Sequence, residues 1–139
     1  MTMYLEHANI TVHDIDETIR FLQTAFPNFA VRGQGKSGDR RWLHIGTDTT
    51  YIALNDASSV SKNKIPHKDY DRVGINHVGF VVENVNDIAQ RLEEKGYQAS
   101  YPRTEEKYRT RIYYYDTSGI EYEFVQYFSE EPEKRNLYS

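Results

Sequence analysis

Two histidines and one glutamate carry the clearest chemical signal in this chain of 139 residues. His7 stands in Leu5-Glu6-His7-Ala8 and His77 in Ile75-Asn76-His77-Val78-Gly79-Phe80-Val81-Val82, and a shift of 70 positions lays one run on the other. A lone strand histidine is usually a hydrogen-bonded structural residue. Repetition at equivalent positions argues for a ligand instead. Glu123, in Ile120-Glu121-Tyr122-Glu123-Phe124-Val125, adds a carboxylate. Two imidazoles and one carboxylate suit one divalent ion, Fe(II), Mn(II), Ni(II) or Zn(II), and leave positions open for substrate or water. Such an ion can act as a Lewis acid toward a bound oxygen.

The elements that must position these groups are legible in the same repeat. Both histidine runs are short and β-rich, with Ala8, Ile10 and Val12 on one face and Val78, Phe80 and Val82 on its counterpart, so the histidines look the other way. Asp14 with Glu17, and Asn84 with Asp87, then offer N-cap oxygens and early negative charge. The first helix presents Ile15, Ile19, Leu22 and Phe26 and is stopped by Pro27. The second presents Val85, Ile88, Ala89 and Leu92 and is capped by Lys95-Gly96. Short β-rich pieces follow at Phe29 to Arg32, Arg41 to Gly46 and Tyr51 to Asn55, then at Tyr97 to Tyr101, Arg109 to Tyr115 and Ile120 to Tyr127. Each half therefore reads as βαβββ, with a first module over 4–55, a linker over 56–72, a second module over 73–128 and a charged surface tail over 129–139. If the halves pair about a pseudo-twofold, their first strands lie close and His7 and His77 converge.

The repeat also places Leu43 on Tyr113, Arg41 on Arg111 and Ala53 on Glu123. Ala53 cannot be a ligand. Tyr51 and Asn55 flank it on the same face and could line the pocket it opens, which makes Tyr51 a candidate catalytic residue. Glu121 shares the face of Glu123 and is a candidate general base or substitute ligand, its plainer reading being a solvated strand residue. Either Tyr114 or the pair Tyr113 and Tyr115 faces the site, and alternation alone leaves both options open. Arg41 and Arg111 could clamp an anionic substrate, or could be exposed strand ends. His13, His44 and His67 have no repeat partner and read as ordinary residues.

Composition removes several classes of function. The net charge of -4 and the lack of a Lys/Arg stripe argue against nucleic acid as a partner. The absence of cysteine excludes disulfides and thiolate ligands. No run approaches the ~20 apolar residues of a membrane span, and the start of the chain has neither a basic leader nor an apolar stretch, so a cytoplasmic protein is expected. Gly33-Gln34-Gly35-Lys36-Ser37-Gly38 matches the letters GxGxxG. A short strand rather than a helix follows it, so it reads as a flexible hairpin connection and not a dinucleotide site.

With these residues in view, the chain resembles the vicinal oxygen chelate superfamily, the glyoxalase, bleomycin-resistance and extradiol-dioxygenase group. The resemblance rests on the two histidine runs and on Asp116-Thr117-Ser118-Gly119-Ile120-Glu121-Tyr122-Glu123-Phe124, and spans Leu5 to about Tyr127. It implies an α+β fold in which two paired βαβββ modules form a curved, partly open mixed sheet around a cavity, with helices outside. It also implies metal ligands at His7, His77 and Glu123, with Ala53 at the fourth ligand position. Glyoxalase I enzymes resemble the chain but generally use four protein ligands, whereas extradiol dioxygenases and fosfomycin-modifying thiol transferases resemble it in using two His and one Glu. The implied function is a metal-dependent enzyme (lyase, isomerase, dioxygenase or transferase) on a small substrate bound through adjacent oxygens, and relatives of this length often form homodimers. The alternatives are a non-catalytic drug- or toxin-binding protein of the bleomycin-resistance type, or a structural domain whose polar strand faces only dimerise.

Overall fold

The structure, a computed structural model, describes residues 2–57, 71 and 73–138. Most of the expected linker over 56–72, with His67, lies outside the described residues. The chain divides into two compact units, Met1–His67 and Lys68–Ser139. The first contains β1 (His7–Val12), α1 (Ile15–Ala25), β2 (Ala30–Ser37), β3 (Arg40–Gly46) and β4 (Tyr51–Asp56). The second contains β5 (His77–Val81), α2 (Val85–Glu94), β6 (Ala99–Glu105), β7 (Arg109–Tyr115) and β8 (Glu121–Tyr127), then a short α3 (Pro132–Arg135) within the charged tail.

The class is α+β, and each unit is a βαβββ module with a four-stranded mixed sheet, ordered β1-β4-β3-β2 and β5-β8-β7-β6. First and last strands of a module pair in parallel, and the other pairings are antiparallel. The strand that bears each histidine is therefore bonded directly to the strand that bears Ala53 or Glu123.

Both helices start as their caps require. The Asp14 carboxylate accepts from the Glu17 N–H, and the Asn84 side chain accepts from the Asn86 and Asp87 N–H groups. A second device recurs in both modules. The side-chain oxygens of Asp56 and Gln126, at the ends of β4 and β8, accept from the first helical N–H groups of Ile15 and Val85 at 3.2 and 3.0 Å. These bonds satisfy orphan amides and tie each helix to the last strand of its own sheet. At the far end of α2, Gly96 adopts φ +84°, which lets the Tyr97 N–H return to the Leu92 carbonyl.

Each helix covers one face of its sheet. Ile15, Phe21, Leu22 and Ala25 are buried with Ile10, Val12, Leu43, Ile45, Ile52 and Leu54 in the first unit, and Val85, Ile88 and Leu92 with Ile112, Tyr114, Tyr122 and Phe124 in the second. Each fully buried aliphatic or aromatic side chain contributes about 1.5–3 kcal/mol. The stripe of α1 is rotated from the expected one, since Thr18, Phe21 and Ala25 are buried while Ile19 and Phe26 are only half-buried. Among the described residues no helix is long and apolar enough to cross a membrane.

Two strands differ from expectation. β6 begins and ends later than Tyr97 to Tyr101, and β2 runs through Gly33 and Gly35 to Ser37, so the glycine-rich stretch is strand and not a flexible connection. Its glycines serve packing. The ring of Trp42 on β3 lies over Gly35, where an added Cβ would sit 2.9 Å from Trp42 Cζ2. Only Gly38, at φ +63°, is needed for the turn. Gly35→Val is expected to lift Trp42, at a loss of about 1–3 kcal/mol from overpacking. Trp42 is the only tryptophan, so a changed emission maximum together with a lower urea midpoint checks this, and unchanged emission would refute it.

Candidate functional site

The sheet face turned away from α2 gathers the polar side chains of the second unit in rows set by strand register. His77 lies opposite Glu121, which lies opposite Tyr115; Gly79, Glu123 and Tyr113 form the next row, and Val81, Val125 and Arg111 the third. Tyr114 is thereby excluded from the site. It is buried under α2, donates its hydroxyl to Glu93 at 2.9 Å, and is pushed up to about 12 by burial first and this carboxylate second. Tyr113 and Tyr115 take the site face.

His77 and Glu123 meet. The ring Nε2 is 3.2 Å from Glu123 Oε2, and Nδ1 is 2.8 Å from Asn76 Oδ1. In the tautomer that donates Nδ1–H to this amide oxygen, Nε2 of the neutral ring carries the lone pair. It faces a carboxylate that is also only an acceptor. Two acceptors at this separation are reconciled by a positive charge between them, supplied either by a second ring proton or by a metal ion.

The other oxygen of Glu123 is already committed. Tyr113 donates its hydroxyl to Oε1 at 2.9 Å, and Arg111 Nη1 lies 3.7 Å from that oxygen while donating to the Tyr113 hydroxyl at 3.1 Å. Arg111 Nη2 donates onward to Glu106 at 3.2 Å. The carboxylate is thus held by Oε1 with Oε2 turned to His77. Glu121 is not the solvated residue of the plainer sequence reading, being only 5% exposed. Ser100 donates to its Oε2 at 2.7 Å, and its Oε1 lies 3.7 Å from His77 Nδ1.

In the first unit the face turned away from α1 carries His7, Tyr51, Ala53, Asn55, His44 and Trp42. His7 Nδ1 donates to Glu6 Oε1 at 2.9 Å, leaving Nε2 as its lone-pair nitrogen. The Tyr51 ring stacks on His7 at 4.7 Å and 13°, and on His44 at 4.8 Å, with the Arg32 guanidinium 4.1 Å from its centre. The Tyr51 hydroxyl stands near the Glu6 carboxylate. That hydroxyl is pushed above the ordinary tyrosine range by desolvation first and Glu6 next, while Glu6 is held below the usual carboxylate range chiefly by its bond to His7. Ala53 is 2% exposed, and Asn55 is bonded to Asn9 rather than open.

The repeat slips in the third strand of the module. Ala53 lies opposite His44 but Glu123 opposite Tyr113, so the counterpart of Tyr113 is His44 and that of Arg111 is Trp42, not Leu43 and Arg41. The cause is the last connection, four residues between Gly46 and Tyr51 against five between Tyr115 and Glu121. A slip of one residue in a strand exchanges its faces. Arg41 accordingly pairs with Asp16 of α1 at 2.8 Å, while Arg111 reaches Glu123.

His77, Glu121 and Glu123 therefore come together within the second unit, and His7 and Tyr51 within the first. Among the described residues, no three or more His, Asp or Glu side chains are grouped so that they could hold a metal ion. Sequence reasoning missed Tyr113 as the partner of Glu123, and Ser100, Glu6 and Asn76 altogether. The last two had a signal, since each immediately precedes a repeated histidine. A cavity of about 510 Å³ beside Arg32, Gly46 and Asp48 and one of about 330 Å³ beside Tyr108, Arg109 and Lys134 are lined by none of the three candidate ligands.

The family model described as Glyoxalase/Bleomycin resistance protein/Dioxygenase superfamily matches residues 4–124. Among solved structures the chain is similar to a glyoxylase/bleomycin resistance protein/dioxygenase domain from Frankia sp. EAN1pec, at 20% identity and TM-score 0.74 over 91% of this chain and 99% of that one. It is similar to a glyoxalase family protein from Bacillus cereus, at 15% identity and TM-score 0.73 over 93% and 97%. It is also similar to a variant of the fosfomycin resistance protein FosX from Listeria monocytogenes, complexed with Mn(II) and 1S,2S-dihydroxypropylphosphonic acid, at 20% identity and TM-score 0.67 over 97% and 96%. At such identities the likeness to these structures is one of fold. No curated protein sequence matches the chain.

Proposed function

Because the chain belongs to the Glyoxalase/Bleomycin resistance protein/Dioxygenase superfamily, we propose that it is a metal-dependent enzyme on a small substrate bound through adjacent oxygens, with His7, His77 and Glu123 as ligands of one divalent ion. The observation that carries this reading is the pair of facing acceptors, His77 Nε2 and Glu123 Oε2, 3.2 Å apart. Two donors each about 2.1 Å from one ion and at right angles lie about 3 Å apart, so the separation suits a shared cation. His7 is assigned by its repeat position and by the same local chemistry, with Nδ1 committed to a neighbouring oxygen and Nε2 left as the ligand atom. The metal would be Fe, Mn, Ni or Zn; Mn(II) is the ion in the FosX complexes.

The bound ion would supply Lewis-acid stabilisation of charge developing on a substrate oxygen. The chain's own residues do the rest. Tyr113 and Arg111 hold one oxygen of Glu123, so the other keeps its direction while substrate exchanges. Ala53 supplies no fourth donor, which favours a dioxygenase-like or transferase-like ligand set over that of glyoxalase I. The assembly we propose is a homodimer, which light scattering would read directly.

Elemental analysis after reconstitution with each of the four metals is the test. One ion per chain is expected for the parent protein, and a marked loss for His7→Ala and for His77→Ala. A parent protein that takes up no stoichiometric metal would leave the bleomycin-resistance type of binding protein in its place. Loss with His77→Ala but not with His7→Ala would remove His7 from the ligand set.

A further inference from the structure

The positions that support the two histidines are repeat-equivalent, but their chemistry is exchanged between the modules. Position 6 corresponds to 76, and position 51 corresponds to 121, since Tyr51 lies opposite His7 and Glu121 opposite His77 in the parallel pairings. The carboxylate beside the Nδ1 of His7 is Glu6, with Tyr51 stacked against the ring. Beside the Nδ1 of His77, position 76 is the neutral Asn76, and the carboxylate is Glu121 at 3.7 Å. A carboxylate is bonded directly to the Nδ1 of His7, and one stands at 3.7 Å, beyond hydrogen-bond reach, from the Nδ1 of His77, at complementary positions of the repeat.

The second strand of each module is built to hold position 51 or 121. In β2 the register skips between Val31 and Gly33, and in β6 between Ala99 and Tyr101, leaving Arg32 and Ser100 as the bulged residues. Bulges re-aim side chains. Arg32 lies over the ring of Tyr51, and Ser100 donates to Glu121. The same bulge thus anchors a tyrosine in one module and a carboxylate in the other.

We infer that Glu6 with Tyr51, and Asn76 with Glu121, are positioning residues that hold the two imidazoles with Nδ1 protonated and Nε2 free for a metal. Glu121 is therefore not the acid or base of the reaction. It is 5% exposed, its Oε2 is taken by Ser100, and its Oε1 is nearest the Nδ1 of His77 at 3.7 Å. A general base must reach the proton it removes. A carboxylate on the far nitrogen of a histidine instead fixes the ring and strengthens Nε2 as a donor, an effect worth about 10–100-fold in metal affinity. This inference rests on the metal-site reading for its consequences, but its geometry can be tested without metal.

Two measurements test it. In the metal-free protein, at a pH high enough that both rings have lost any second proton, nitrogen-15 NMR is expected to show the Nδ1–H tautomer in His7 and His77, and an Nε2–H tautomer in either would overturn the inference. Titration with Mn(II), followed by electron paramagnetic resonance, is expected to show affinity about 10–100-fold weaker in Glu121→Gln. Adding Asn76→Asp to that variant places a carboxylate where Glu6 stands in the first module and is expected to restore most of the loss. Ser100→Ala, which keeps the carboxylate but frees it, should give a smaller loss and guards against misfolding of the first variant, with circular dichroism as the control. Unchanged affinity in well-folded Glu121→Gln, or a double variant no better than the single, would sink the inference and leave the metal site intact. A parent protein that binds no Mn(II) or other divalent ion would sink the proposed function, while the tautomers would still report on the positioning residues.

Discussion

Glu123→Gln is expected to reduce divalent-metal affinity by at least about 100-fold, the upper end of what loss of an outer hydrogen bond produces, or about 2.8 kcal/mol at 1.4 kcal/mol per decade. The same variant is expected to leave the melting temperature of the metal-free protein unchanged or higher. The reasoning is local. A glutamine keeps an acceptor for the Tyr113 hydroxyl at the position of Oε1 and turns an NH₂ donor toward His77 Nε2, replacing the two facing acceptors with a donor and an acceptor. Metal titration and differential scanning calorimetry on the same preparation check both halves. A variant that loses metal and also melts earlier would show that His77 is doubly protonated in the metal-free protein and bonded to an ionic Glu123.

The second large effect is on the scaffold. Phe124→Ala is expected to destabilise the second unit by about 3–5 kcal/mol, the usual loss for a buried phenylalanine whose cavity only partly collapses. Phe124 is fully buried, stacks near Phe80 at 6.1 Å, and stands between Glu123 and Val125 on β8. The substitution therefore disturbs the strand that aims Glu121 and Glu123, so metal affinity should fall with stability. Urea unfolding by far-ultraviolet circular dichroism is the readout, because the only tryptophan, Trp42, lies in the first unit. A loss under about 1 kcal/mol would mean that the site collapses around the smaller side chain, at the lower limit of cavity effects.

These predictions divide along the line between local and long-range information. The caps at Asp14 and Asn84 and the alternation of Ile10 and Val12 against His7 and Asn9 were legible because each depends on neighbours a few residues away, and the repeat because the same local pattern recurs 70 positions on. The one-residue difference between the last connections was not, and it decided that Arg111 rather than Arg41 faces the carboxylate. Glu121 was misjudged for a related reason. Whether a strand carboxylate is solvated depends on what lies beside it two strands away, and Ser100 is aimed there by a bulge that no composition signals.

From the sequence by itself follow the two βαβββ modules, the histidine-bearing first strands, and Glu123 where the first module has Ala53. These are periodic features, and a period of 2 or 3.6 residues is written into the chain wherever it runs. Tertiary structure alone decided which tyrosine meets Glu123 and which acid is withdrawn from solvent. Those depend on register and bulges, where a slip of one residue reverses a strand face and the partners lie 10 to 46 positions away in the chain.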